Sequence, residues 1–79
     1  MPRVAIDVML KDEILDPQGQ ALERALPQLG FTGVGGVRVG KHIELQVDDA
    51  EGLEERVRAM ADQLLANPVI ETFTIRVEA

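Results

Sequence analysis

The chain contains no cysteine, serine, tyrosine or tryptophan. Without cysteine there can be no disulfides, CxxC redox pairs, iron–sulfur clusters or thiolate zinc sites. The missing serines and cysteines also exclude Ser-His-Asp and Cys-His nucleophiles, and the single histidine, His42, has no obvious catalytic partner. A transition-metal site would have to rest on carboxylates. We read His42, between Lys41 and Ile43, as a solvated or interface side chain. Phe31 and Phe73 are the only aromatics, too few for a base-stacking platform. Basic residues are scarce as well: 8 Lys and Arg against 14 Asp and Glu give a net charge of −6, the wrong sign for displacing counterions from a phosphate backbone. No apolar run reaches membrane-spanning length, and Met1-Pro2-Arg3 leads into an alternating segment without a signal-peptide core. The expectation is a soluble, cytoplasmic protein with neither a nucleic-acid nor a membrane partner.

The 79 residues read as a single domain, 1–79, with no internal linker or low-complexity segment. A chain of this size buries only about 60% of its unfolded surface, so association would help it. Arg3 to Leu10 alternates with the period of a half-buried strand, with Val4, Ile6, Val8 and Leu10 on one face. The other face, with Ala5 and Met9, is less polar than a fully solvated one and leaves room for a partner. A helix start follows at Asp16-Pro17, with Asp16 as N-cap and Pro17 where its missing N–H has no intrahelical partner. Asp12, Glu13 and Asp16 favour the helix dipole there and repel phosphate.

The first helix is predicted from Pro17 towards Leu29, with Ala21, Leu22, Ala25, Leu26 and Leu29 facing the core. Pro27 should kink it or tighten its last turn, and Gly30 should close it with Phe31 folding back on the apolar face. Gly19 is unusual inside a helix and implies close backbone approach, by the chain's own hairpin or by a partner. Val37, Val39, Ile43, Leu45 and Val47 share one face of a second strand region. Gly40-Lys41 interrupts it as a type II′ hairpin signal, although one long bent strand also fits. Asp48 and Asp49 offer N-caps for a second helix, with Glu51 completing a capping box. Leu53, Val57, Met60, Ala61 and Leu64 are its predicted buried stripe. Asn67-Pro68 ends it, and Val69 to Glu78 reads as the last strand, with Glu71 on the apolar side at an open end or in an interface. The resulting order, β-α-β-β-α-β, predicts an α+β, ferredoxin-like split βαβ fold: a four-stranded antiparallel sheet with two helices on one face.

The glycine-rich stretch Gly33 to Gly36 matches neither a P-loop nor a dinucleotide fingerprint. Other strings are more specific. Lys11 with Ile14-Leu15-Asp16-Pro17-Gln18-Gly19, Leu29-Gly30-Phe31, Val37-Arg38 with Gly40-Lys41, and Leu64-Leu65-Ala66-Asn67-Pro68-Val69-Ile70-Glu71 together resemble the PurS family, the small subunit of phosphoribosylformylglycinamidine (FGAM) synthase. Four such strings stand in the right order, and the resemblance extends over nearly the whole chain. Pro27 departs from the family pattern and bears on local geometry only.

The resemblance implies a non-catalytic subunit in purine nucleotide biosynthesis, cytoplasmic and homodimeric or of higher order. It implies two partners: PurQ, a glutaminase that releases ammonia, and PurL, the large subunit that uses ammonia with ATP to convert formylglycinamide ribonucleotide (FGAR) to FGAM. PurS would bridge them and help deliver ammonia. No cofactor is expected on this chain, since ATP and Mg belong to the large subunit. The candidate subunit interface comprises Asp16, Pro17, Gln18, Gly19, Arg38, Gly40, Lys41, Asn67, Pro68 and Glu71. Their chemistry suits it: exposed amides at Pro17-Gln18-Gly19, cations at Arg38 and Lys41, and polar groups at Asn67 and Glu71 that folding alone does not demand. The rival classes are a stand-alone ferredoxin-like regulatory or ligand-binding module and a purely structural homo-oligomer.

Overall fold

A computed structural model describes residues 1–48 and 51–78. Its centre is β1 (Arg3–Leu10), flanked by β2 (Gly40–Gln46) and β3 (Glu71–Glu78) in one antiparallel sheet of order β2-β1-β3. The register sets Ile6 opposite Ile43 and Ile75, and Val4 opposite Leu45 and Val77. Directly paired residues share a face. One face is therefore apolar, with Val4, Ile6 and Val8 fully buried at its middle and Ile43, Leu45, Phe73 and Ile75 packed around them. The opposite face bears Asp7, His42, Glu44, Thr74 and Arg76, and Ala5, though 1% exposed, lies between its cross-strand neighbours Glu44 and Arg76 on that polar side.

Two helices join the strands: α1 (Pro17–Gln28) between β1 and β2, and α2 (Leu53–Met60) between β2 and β3. Helix α2 buries Val57 on the apolar sheet face and leans over β3, where the Arg58 guanidinium lies 5.7 Å from the centre of the Phe73 ring. It continues into a π-helical turn, Ala61–Leu65, closed by the Ala66 N–H donating to the Ala61 carbonyl. That turn inserts one residue relative to α-helical phase. The consequence is a shifted stripe: Ala61 and Ala66 are buried and Leu65 half-buried, whereas the predicted core residue Leu64 is 83% exposed.

Several expectations need correction. Four strands were expected, and three are present among the described residues. Residues 37–39 are not strand, and Gly40 does not have the positive φ that a II′ turn requires. Gly40 is glycine for another reason: a Cβ there would run into the Met9 sulfur and the Val8 carbonyl oxygen, because β2 begins hard against β1. The second helix is not capped by Asp48; its N-cap is Gly52, in left-handed conformation, and the alternative cap Asp49 lies outside the described residues. The last strand starts at Glu71, not Val69, because residues 68–70 form a turn that leaves Val69 exposed.

The largest departure concerns α1. Its ends are as the sequence dictates: Asp16 caps it, the Leu29 N–H tightens onto the Leu26 carbonyl in the turn containing Pro27, and Gly30 at φ 96° closes a Schellman motif with Phe31 N–H donating to Leu26 and Gly30 N–H to Pro27. Its apolar stripe does not face a core. Leu22, Leu29 and Phe31 are exposed, Leu26 is half-buried, and Gly19 is the helix's one buried residue. Among the described residues, no strand makes an extended contact with it. The molecule is accordingly elongated, 50 × 26 × 14 Å, with a Cα radius of gyration of 16.1 Å where a compact chain of this length would have about 12 Å.

Candidate functional site

The candidate residues converge on the C-terminal end of β1, where the chain leaves the sheet for α1 and later returns beside it. Asp16 is the hub. One carboxylate oxygen accepts the Gly19 N–H at 2.9 Å, capping α1, and the other accepts the Val39 N–H at 2.8 Å, fixing the approach to β2. These two backbone bonds, Gly19 first, hold the Asp16 carboxyl below its usual range. Gly19 itself is fitted to its own chain. A Cβ there would overlap the Val37 carbonyl oxygen, and the helix start and the strand approach could not close. Of the two expected sources of close approach, the intrachain one is present.

Around this junction lies an open groove of about 330 Å³ lined by Val8, Leu10, Asp16, Pro17, Gln18, Val39, Gly40, Lys41 and Glu71. Its wall is apolar and its rim charged. Lys41 Nζ is 3.9 Å from a Glu71 carboxylate oxygen and 3.4 Å from the Leu65 carbonyl oxygen, both long, and its side chain is about half exposed. That ammonium is loosely held and can meet an outside acceptor. Glu71 is held more firmly, since its other oxygen accepts the Asn67 N–H at 2.6 Å. The Glu71 and Ile70 N–H groups donate in turn to the Asn67 carbonyl, and the Asn67 side chain accepts the Val69 N–H at 3.1 Å. Glu71 on the apolar face is thus a strand-end carboxylate tied into a turn.

Six candidates, Asp16, Pro17, Gln18, Gly40, Lys41 and Glu71, line the one groove, with Gly19 buried in the helix start beside it. Asn67 joins through Glu71. Arg38 faces the neighbouring surface, where its guanidinium donates to the Leu10 carbonyl and pairs with Asp12 at 3.3 Å. Pro68 stands apart in the exposed turn. Sequence reading missed a second polar group: on the open sheet face His42 Nδ1 lies 2.7 Å from Asp7, His42 Nε2 lies 3.2 Å from Glu44, and Arg76 is 3.0 Å from Asp7. The signal available was the alternation that sets His42 and Glu44 on the same side of one strand; their cross-strand partners depend on register, which the sequence does not state.

A family model described as PurS, phosphoribosylformylglycinamidine (FGAM) synthase, matches residues 3–79. The chain belongs to the PurS family. The phosphoribosylformylglycinamidine synthase subunit PurS of Mycobacterium leprae is 49% identical over 79 residues, covering all of this chain and 99% of that protein. A crystal structure of Bacillus subtilis PurS superposes with a TM-score of 0.93 at 40% identity, covering the full length of both chains. A chain in the structure of PurLQS from Thermotoga maritima superposes with a TM-score of 0.77 at 31% identity, over 96% of this chain and 95% of that one. The groove therefore lies in a chain of the PurS family with a PurS fold. No helix among the described residues is long and apolar enough to cross a membrane.

Proposed function

We propose that this chain is the non-catalytic small subunit of FGAM synthase in de novo purine biosynthesis. In that role it bridges a PurQ glutaminase and a PurL synthetase and supports ammonia transfer between them during the ATP- and glutamine-dependent conversion of FGAR to FGAM. ATP and Mg act on the large subunit. The observation that carries this reading is full-length similarity to PurS chains, one of them from a structure of PurLQS. The geometry supports it. The groove at the β1 end is open, apolar-walled and rimmed by a loosely held ammonium, which suits a protein surface.

The same reading includes a homodimer, and the unpartnered α1 supports that. Each copy displays an apolar stripe with no core beneath it and an apolar sheet face over which its own α2 leans towards β3. A second copy can supply what each lacks, α1 of one lying on the sheet of the other about a two-fold axis. The two-helices-on-one-face arrangement of a ferredoxin-like unit would then be completed between copies, and the open face under α1 would be filled. Domain swapping of this kind suits a chain too small to bury its surface alone.

Reconstitution tests the assignment. Purified PurQ and PurL with this chain should form FGAM from FGAR, ATP and glutamine, and omitting the chain should abolish glutamine-dependent synthesis while leaving synthesis from added ammonia in place. Equal glutamine-dependent rates with and without it would sink the proposal.

A further inference from the structure

The open face of the sheet carries an arc of alternating charge that crosses all three strands. The Glu44 carboxylate lies 3.2 Å from His42 Nε2, His42 Nδ1 lies 2.7 Å from Asp7 Oδ1, and the other Asp7 oxygen pairs with the Arg76 guanidinium at 3.0 Å. Both ring nitrogens therefore face carboxylate oxygens at hydrogen-bonding distance. A neutral imidazole has one N–H and one lone pair, so it donates to only one of the two. The arc as it stands requires the imidazolium, with both nitrogens donating. Arg3 shares this face, because alternation along β1 sets it with Ala5 and Asp7. In the register it lies opposite Gln46 and Glu78 and diagonal to Glu44, and it makes no ion pair among the described residues.

We infer that Glu44 is a proton-dependent switch: it is tied to His42 while the imidazole is protonated, and when the ring loses its proton it crosses to Arg3 and leaves His42 Nε2 uncovered. The switch lies within one chain, and the inference depends on neither self-association nor the FGAM synthase assignment.

Geometry decides which carboxylate lets go. Asp7 is anchored from both sides, by His42 on one oxygen and Arg76 on the other, and its side chain is 39% exposed. Glu44 has only the longer contact to the ring, and its side chain is 55% exposed. Loss of one proton therefore breaks the Glu44 side. The remaining proton stays on Nδ1, donated to Asp7, and the bare Nε2 then meets the Glu44 oxygen lone pair against lone pair. Arg3 offers the expelled carboxylate a cation. Diagonal neighbours on paired strands are about 7–8 Å apart, within reach of two long side chains. An open cleft of about 330 Å³ lined by Arg3, Glu44, Leu45 and Gln46 gives them room to meet. Glu44 thus has a cationic partner in each state, which makes two discrete positions.

Few charged groups face His42. They are Asp7 and Arg3 from β1, Glu44 from its own strand and Arg76 from β3, with Glu78 beyond Arg3. Helix α2 packs on the opposite, apolar side of the sheet and adds none. The two carboxylates at the ring nitrogens favour the proton, Asp7 more than Glu44, and they hold the imidazole above its ordinary value. The change of state therefore falls above about pH 6.5. Below it, the face presents a ring capped by carboxylates. Above it, the face presents a bare imidazole nitrogen oriented by Asp7, the form of histidine that accepts a proton or a hydrogen bond.

A single histidine makes the test direct. The full chain, isotopically labelled on carbon and nitrogen, is titrated by NMR between about pH 5 and about pH 9, spanning the histidine range. The Glu44 carboxyl carbon and the Arg3 side-chain N–H signals should each move with the His42 midpoint, and above that midpoint the neutral ring should keep its proton on Nδ1. Glu44→Gln alters an exposed side chain and leaves the core untouched. It should lower the proton affinity of His42 roughly two- to fivefold, as expected for an exposed pair. It should also remove most of the pH-dependent movement at Arg3 while His42 still titrates. A neutral ring protonated on Nε2 would mean that Asp7 is the carboxylate released, and would overturn the proposal. An Arg3 signal that moves equally in the parent and in Glu44→Gln would report only the changing charge of the ring, and would overturn the crossing to Arg3.

Discussion

The sheet and α1 were built from equally clear sequence signals and ended in opposite environments. In the sheet, alternation placed Val4, Ile6 and Val8 at the centre of a core that β2, β3 and α2 complete within one chain. In α1, a capping aspartate, an N1 proline and a Schellman glycine set both ends, yet Leu22 and Leu29 of its apolar stripe remain exposed. The contrast separates two links that are often merged. Local chemistry decides that a helix forms and where it stops; what its apolar face packs against is a property of topology, and a second molecule can supply it.

The largest expected effect tests the self-sufficient half. Ile6→Ala removes a fully buried side chain at the middle of β1 and should cost about 2–5 kcal/mol, most of the stability of so small a domain. Urea denaturation at fixed protein concentration checks this. Changing the other half should act differently. Leu22→Glu together with Leu29→Glu places charges on a stripe that is largely exposed within one chain, so sedimentation should report a smaller oligomer and stability should lose its dependence on protein concentration. The sheet's own far-UV signal should survive. If the double variant unfolds the monomer as completely as Ile6→Ala does, the division between the two halves is wrong.

Gly19 sharpens the comparison because it lies where the halves join. In an open helix, alanine for glycine is worth about 1 kcal/mol in favour of alanine. Here the added Cβ meets the Val37 carbonyl oxygen, which is backbone and cannot swing aside. Gly19→Ala should therefore destabilise by about 1–3 kcal/mol, and the loss should appear in the isolated subunit by thermal or chemical denaturation. Unchanged stability with lost PurL and PurQ binding would return Gly19 to the partner interface.

Most of the elements were legible in the sequence. The first strand, the span and both caps of α1, the tightened turn at Pro27 and the body of α2 all follow from patterns within one turn or one strand. The misses share a cause. Gly40 read as a turn because glycine marks both turns and close approaches, and only the position of Met9 across the sheet tells them apart. Leu64 read as core because the i, i+3, i+4 rule assumes unbroken α-helical phase, which the π-turn shifts by a residue. Gathering six of the candidate residues at one groove is likewise a result of register and crossover, invisible to a scan along the chain.

Titration offers a finer probe of the junction. Asp16 is held ionised by the Gly19 and Val39 amides, so its folded pKa lies below the unfolded value. For a carboxyl lowered on folding, the stabilisation is present above the unfolded pKa and fades as pH falls through the folded one. An Asp16→Asn variant should therefore be less stable than the parent at neutral pH and approach it under acid conditions, with the change confined to the region below about pH 4. A difference in melting temperature that stays constant across that range would assign the loss to side-chain shape and not to charge.

The smallest effect belongs to the open face of the sheet, where His42 joins β2 to β1 through Asp7. Its imidazole is raised above its ordinary value, first by the hydrogen bond to Asp7 and then by that to Glu44, while Asp7 is lowered chiefly by the same contact with His42. The sign follows from which state binds the proton more tightly. Folded His42 does, so its contribution is fully present below about pH 6.5, the unfolded histidine value, and is lost as pH rises through the higher folded pKa. The group is exposed and shares Asp7 with Arg76, so screening keeps the effect small, and added salt should shrink it further. His42→Gln retains hydrogen-bonding capacity without the titration, and it should flatten the difference in melting temperature between pH 6 and pH 8 that the parent shows. NMR titration of the sole imidazole in the parent provides the independent check: a pKa at or below the ordinary histidine value would mean that the Asp7 contact does not persist in solution, and that β2 is held to β1 by its ladder and by the packing of Ile43 and Leu45 on the apolar face.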